Sequence, residues 1–193
     1  MVQIVLIRPG ATDYDQQGRI QGVLDVPLCD AGAHEAARIS GEIKSLGVEV
    51  VYASACERAM QTASAVAAAL GVKVKRMEKM QNLDHGLWQG MLIEEVKRKQ
   101  PKVYRQWQEQ PDSICPPEGE MIIQARDRVR AAMAKLLKKH KQGVLALVVP
   151  EPLASLVREH LDVGDLGDLW RAGIEHGTWE IINFDPRPVA RSG

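Results

Sequence analysis

Residues 6–22 read LIRPGATDYDQQGRIQG. The apolar run that enters this stretch, 4–7, is short and β-branched, so it reads as a buried strand, and the proline- and glycine-containing loop after it marks the strand's carboxyl end. Arg8 is thereby delivered to the lip of a sheet, where a guanidinium can fork onto the oxygens of an anion. Pro9, the next residue, can neither attack nor donate, because its ring nitrogen is a tertiary amide with no N–H and no basic lone pair. The conflict between these two neighbours governs what the chain can do.

Similar apolar runs at 48–52, 72–74 and 144–149 read as further buried strands, and an alternating segment at 178–184 as a last one. Between them lie stretches of helical period. The first, 30–46, opens on Asp30 as N-cap, and the second, 56–70, is alanine-rich and closed by Gly71. Residues 80–110 read as loop and short helix, 119–140 as a long helix, and another helix starts at about residue 152. Strand alternating with helix implies an α/β three-layer sandwich, a mostly parallel central sheet with helices on both faces. Ligands in such sheets sit beyond the carboxyl ends of the strands. Three places qualify: Arg8-Pro9-Gly10, the segment 54–58, and Pro150-Glu151-Pro152.

The totals narrow the function. With 193 residues, 45% of them apolar, the chain suffices for one domain, expected over 1–185, followed by a flexible tail at 186–193. Twenty-five basic residues balance twenty-five acidic ones, so no overall field draws the protein to nucleic acid or an anionic membrane. The lysine- and arginine-rich stretch 130–141 then reads as a solvated helix face. No stretch approaches the ~20 apolar residues of a membrane span, and the opening lacks a secretory leader pattern. Three cysteines, Cys29, Cys56 and Cys115, lack metal-ligand spacing and fit a reducing compartment, so a cytoplasmic protein without metal or other cofactor is expected.

Four ordered motifs then carry a resemblance: R-P-G-A-T-D-Y-D-Q-Q-G-R-I-Q-G-V-L-D-V-P-L from residue 8, S-A-C-E-R-A-M-Q-T-A at 54–63, L-D-H-G-L-W-Q-G at 83–90, and P-P-E-G-E at 116–120. The chain resembles the histidine phosphatase superfamily, the phosphoglycerate-mutase-like proteins, over most of its length. Short spacing between the second and third strands is more similar to the small phosphatase branch than to the longer mutases. The resemblance implies phosphoryl transfer through a histidine on the first loop, aided by a second histidine, two arginines and an acid that protonates the leaving group. The chemistry explains each residue type, since imidazole is a nucleophile at neutral pH, arginines fork onto phosphate, and the departing oxygen needs a proton.

Carried over position by position, only the arginines survive, as Arg8 and Arg58. The nucleophile's place holds Pro9, the second histidine's place Pro150, and the acid's place Asn82, an amide with no proton to give near neutral pH. The phosphate-holding asparagine is replaced by Asp15, and Glu151 follows Pro150. At ~4 Å and an effective dielectric of ~20, each carboxylate would cost a bound phosphate roughly 4 kcal/mol per charge pair. Prolines 9, 150 and 152 also remove backbone N–H donors from the cradle.

The expectation is a catalytically inactive member of the fold, a binding or structural module in which Arg8 and Arg58 pair internally with Asp15 and Glu151. The arginines then knit loops together, the alternative being retained anion binding. The runner-up readings are a weak phosphatase or mutase working through the arginine cradle, and a sensor of a phosphorylated metabolite. A homodimer or another protein partner is left open by the resemblance, and phosphate-type anions are expected to bind weakly or not at all. Elsewhere the residues read as structural: His85 and Cys56 as packing groups, His34, His140 and His160 as solvated, His176 as part of a turn. Trp88, Trp107, Trp170 and Trp179 read as core or loop packing, not an aromatic platform.

Overall fold

The computed structural model describes residues 1–185; the tail expected at 186–193 lies outside the described residues. Five strands, β1 (Val2–Ile7), β2 (Val50–Ser54), β3 (Lys73–Met77), β4 (Gly143–Val148) and β5 (Trp179–Phe184), form one sheet in the order β3-β2-β4-β1-β5. β1 through β4 run parallel, and β5 lies antiparallel against β1. The helices are α1 (Asp13–Gln17), α2 (Asp30–Glu42), α3 (Glu57–Leu70), α4 (Ile93–Lys99), α5 (Pro101–Glu109), α6 (Ile122–Lys139), α7 (Leu153–His160) and α8 (Leu169–Ala172).

The sheet is buried on both faces, which is why its central strands read as continuous apolar runs. Ile4 and Leu6 of β1, with Leu145 and Leu147 of β4, face a core filled from α6, α7 and the 80–107 region. Val5 and Ile7, with Ala146 and Val148, face α2 and α3 on the other side. Burying Leu6 or Ile7 contributes about 1.5–3 kcal/mol each relative to leaving it exposed.

Several boundaries differ from the expectation. β3 extends to Met77, and Lys73, Lys75 and Arg76 are exposed on it; an edge strand tolerates charge, and lysine there discourages pairing with a further chain. β2 begins two residues later than expected, at Val50, after Gly47 reverses the chain at φ 71°. The first long helix stops at Glu42 and continues only as a 3-10 turn, Lys44–Leu46. Its N-cap is Cys29, without a side-chain cap bond, so Asp30 sits in the first turn instead, where its charge favours the helix dipole. α6 begins at Ile122, after Gln124 Oε1 accepts from the Met121 N–H at 2.9 Å.

One close approach ties α2 to the first loop. A side chain on Gly32 would meet the Ala11 carbonyl oxygen, and one on Gly10 would meet that of Gly32. Glycine at both positions lets the loop carrying Pro9 lie directly on the helix.

The register gathers the site. Ile7 pairs with Val148 on one side and Trp179 on the other. The carboxyl ends of β1 and β4 therefore open, with the start of β5, on the same edge. Among the described residues no helix is long and apolar enough to cross a membrane.

Candidate functional site

At that edge a narrow cleft offers about 40 Å³ to a water-sized sphere. All three positions where the resemblance puts reacting groups line it: Pro9 after β1, Pro150 after β4, and Asn82 after β3. Arg58, on the first turn of α3, and His85, Trp107 and Trp170 complete much of the wall. The loops are fastened at short range. Gly10 N–H donates to Thr62 Oγ1 at 3.1 Å while that hydroxyl donates to the Arg58 carbonyl at 2.8 Å, and Gly177 N–H donates to the Pro9 carbonyl at 2.7 Å.

Arg8 is buried and committed. Its Nε lies 2.6 Å from Glu151 Oε1 and 3.3 Å from Glu175 Oε2, and its Nη1 lies 3.2 Å from Glu180 Oε1. Burial by itself would lower the guanidinium's pKa, but the Glu151 and Glu180 carboxylates outweigh it and hold the group above its ordinary value. Glu151 is displaced upward by its own burial, against the pull of Arg8 and Ser155. These two directions oppose each other over charge in the pair. The geometry favours the ionised carboxylate, because Glu151 Oε2 also accepts from the Ser155 N–H at 3.1 Å and the Ser155 hydroxyl at 2.8 Å.

Arg58 is held differently. Its Nη1 donates to Gln21 Oε1 at 3.1 Å, and Gln21 Nε2 donates to Asp15 Oδ1 at 2.7 Å. Of the expected cluster of Arg8 and Arg58 with Asp15 and Glu151, the structure forms the Arg8–Glu151 pair, while neither Arg58 nor Asp15 makes an ion pair among the described residues. A neutral glutamine stands between the latter two.

Asp15 is occupied locally as well. Its Oδ2 accepts from the Thr12 N–H at 2.7 Å and the Thr12 hydroxyl at 2.9 Å, while Thr12 Oγ1 accepts from the Asp15 N–H, a capping box that starts α1. Asp15 therefore builds the helix beside the cleft.

The remaining lining groups carry two unfilled hydrogen-bond positions. Asn82 Nδ2 donates to the Gly22 carbonyl at 3.1 Å, but its buried Oδ1 has no partner among the described residues. His85 Nδ1 is in the same condition. Burial pulls the His85 pKa down to about 4, with Arg58 adding to the fall and Asp84 resisting it, so the ring is neutral near pH 7.

Sequence reasoning missed Glu175 and Glu180 as partners of Arg8; Glu180 reaches it through the antiparallel register, opposite Leu6. The Thr12-x-x-Asp15 spacing was a legible capping signal for α1. His176 is more than a turn residue: it lines the cleft, and its Nδ1 lies 3.0 Å from the Glu35 carboxylate. Three of the four tryptophans, Trp88, Trp107 and Trp170, pack as one buried cluster, with Trp88 and Trp107 edge to face at 5.6 Å. Cys56 is a buried core residue, as expected.

Comparison with known proteins agrees with this frame. The chain is 30% identical over 188 residues to phosphoserine phosphatase 1 of Hydrogenobacter thermophilus, covering 97% of this chain and 89% of that one. It is 29% identical over 185 residues to the bifunctional protein Rv2228c of Mycobacterium tuberculosis, of which it spans about half, 50%. The solved structure of Bacillus stearothermophilus YhfR superposes with a TM-score of 0.84 at 21% identity, covering 96% of this chain and 93% of that one. The family model for the histidine phosphatase superfamily, branch 1, matches residues 4–190, and the chain belongs to that superfamily.

Proposed function

We propose that this chain is a catalytically inactive histidine-phosphatase-fold protein, a binding or structural module that transfers no phosphate. The observation that carries this reading is Pro9, which lines the cleft where the family pattern requires an attacking imidazole. Its nitrogen is acylated by Arg8 and bears no free electron pair, so no phosphorylated intermediate can form on it. Pro150 and Asn82, lining the same cleft, supply neither the second imidazole nor a proton for a leaving oxygen. When groups that act as a unit are lost, losing one removes nearly all of their joint effect; here three positions are vacant.

An enzymatic reading draws on two observations: a relative is called a phosphoserine phosphatase, and Arg58 has no carboxylate against it among the described residues. Water would then be the nucleophile and His85, on the cleft wall, a candidate base. With its pKa near 4 that ring is a weak general base at neutral pH, and no acid stands at Asn82, so the inactive reading is the stronger.

The test is phosphate release from a panel of phosphomonoesters by the pure protein, across acid, neutral and alkaline pH. The expected result is no release above the blank. Release that disappears in Arg58→Ala overturns the proposal. A protein partner, including a second copy of this chain, fits the same reading and is tested by sedimentation of the pure protein and capture from native lysate.

A further inference from the structure

Away from the cleft, α6 and the β3 edge of the sheet flank a groove with a free volume of about 290 Å³, which shares no lining residue with the cleft. Ala132, Lys135, Leu136 and Lys139 recur at helical spacing, so one face of α6 forms one wall. Tyr52 of β2 pairs with Lys75 of β3, and Met77, two residues further along, shares the Lys75 face of the sheet. The floor is therefore apolar, made by Tyr52, Met77, Ala132 and Leu136, and the exposed Lys79, Lys135 and Lys139 stand at its rim. A volume of this order lies at the small end of the clefts that hold organic ligands.

The rim carries positive charge without a counter-ion. Among the described residues none of Lys75, Lys79, Lys135 and Lys139 makes an ion pair, and Glu78, the one carboxylate in the lining, is taken by Arg76 at 2.7 Å. Lys75 Nζ lies 5.7 Å from the centre of the Tyr52 ring, and Lys139 stands close enough to push the Lys75 ammonium below its ordinary pKa. Like charges held that near repel, and an anion beside them removes the repulsion. The polar tip of Tyr52 is already engaged, its hydroxyl lying 2.7 Å from His140 Nε2, so the residue offers the groove its ring.

Charge and floor together select the occupant. Inorganic phosphate would meet the lysines and leave the apolar floor wet, whereas a neutral apolar molecule would cover the floor and leave the lysines crowded. We propose that the groove binds a small amphipathic organic anion, a carboxylate on a short alkyl or phenyl body, with the body on Tyr52, Met77 and Leu136 and the carboxylate at the lysine rim beside Lys139. Lysine suits this task because its ammonium is a point charge on a flexible stem, able to swing onto a carboxylate while the stem covers apolar surface. The site uses no residue of the cleft, so the inference goes beyond the reading of the cleft and does not depend on it.

The test is an NMR titration of the intact protein near neutral pH with hexanoate, acetate, hexylammonium and inorganic phosphate as separate probes, following the Met77 methyl and the amides of Tyr52 and Leu136. Hexanoate is expected to give saturable shifts centred on those three residues. Acetate, four methylenes shorter, and hexylammonium, with the same body and the opposite charge, are each expected to bind at least about tenfold more weakly. Lys139→Glu, at an exposed position, is expected to weaken hexanoate by about tenfold or more, while Lys102→Glu, which reverses the same charge on α5 outside the groove, leaves it unchanged. If Lys139→Glu does not fold, the wild-type ranking of hexanoate over acetate and hexylammonium decides alone.

Acetate or phosphate binding as tightly as hexanoate overturns the proposal and leaves a diffuse counter-ion atmosphere only. Hexylammonium equal to hexanoate, no saturable shift up to about 10 mM hexanoate, or an unchanged affinity in folded Lys139→Glu overturns it as well. Ester turnover by the same sample would overturn the inactive reading of the cleft and leave this inference standing.

Discussion

The two arginines that the family pattern sets on one phosphate have parted ways. Arg8 is enclosed by Glu151, Glu175 and Glu180 and fastens the ends of β1, β4 and β5 to one another. Arg58 touches a neutral Gln21 and keeps its place on the wall of the cleft. Arg8 thus sits in an ion cluster, whereas Arg58 makes no ion pair among the described residues.

The largest expected effect breaks the comparison on the Arg8 side. Arg8→Met leaves Glu151 buried without its cation, and losing one member of such a pair costs about 3–5 kcal/mol. Denaturant unfolding should register this as a lower midpoint with an unchanged slope. Adding Glu151→Leu to the same chain should recover much of the loss, because an apolar pair avoids the cost of desolvating both charges.

A pH effect of intermediate size belongs to the Arg58 side. His85 has a folded pKa of about 4 against an ordinary 6.5, so between those values the unfolded chain binds more protons than the folded one. The contribution is fully present above pH 6.5 and is lost as pH falls through that window, by about 2–3 kcal/mol at pH ~4.5. Unfolding curves at pH ~7.5 and ~4.5 should show that loss, and His85→Phe should remove most of it. An equal acid sensitivity in His85→Phe would place the titrating group elsewhere.

Arg58→Met should be milder than Arg8→Met, about 1 kcal/mol, since it gives up a hydrogen bond to a neutral partner and leaves no carboxylate stranded. Equal costs for the two arginines in the same unfolding assay would erase the distinction drawn between them. Smallest of all, Asp15→Asn keeps one oxygen, enough for the cap, and gives up the bond from Gln21, for a loss of about 0.5–1 kcal/mol, read as a small drop in melting temperature.

The fold was legible where one physical signal dominated. β1 and β4 are buried on both faces, so their apolar runs stood out, and Gly71 closes α3 at φ 68° in the left-handed conformation that favours glycine. β3 reads too short in the sequence because Lys73, Lys75 and Arg76 obscure an edge strand whose partner lies on one side only.

At the site, the Arg8–Glu151 pair followed from two motifs that the resemblance brings together. Glu175 and Glu180 did not, because only the folded chain brings the last segment beside Arg8. Matching opposite charges also draws Arg58 and Asp15 into that cluster, whereas a neutral glutamine lies between them and Asp15 caps its own helix. Charge matching finds ion pairs but is blind to amides.

The claim at the centre of this account is that no residue at the Pro9 position can accept a phosphoryl group, and intact-protein mass spectrometry after incubation with a reactive phosphomonoester and rapid quenching tests it directly. A single unmodified mass is expected at every time point. A species heavier by one phosphoryl group, formed by the wild-type chain and absent in Arg58→Ala, would contradict it.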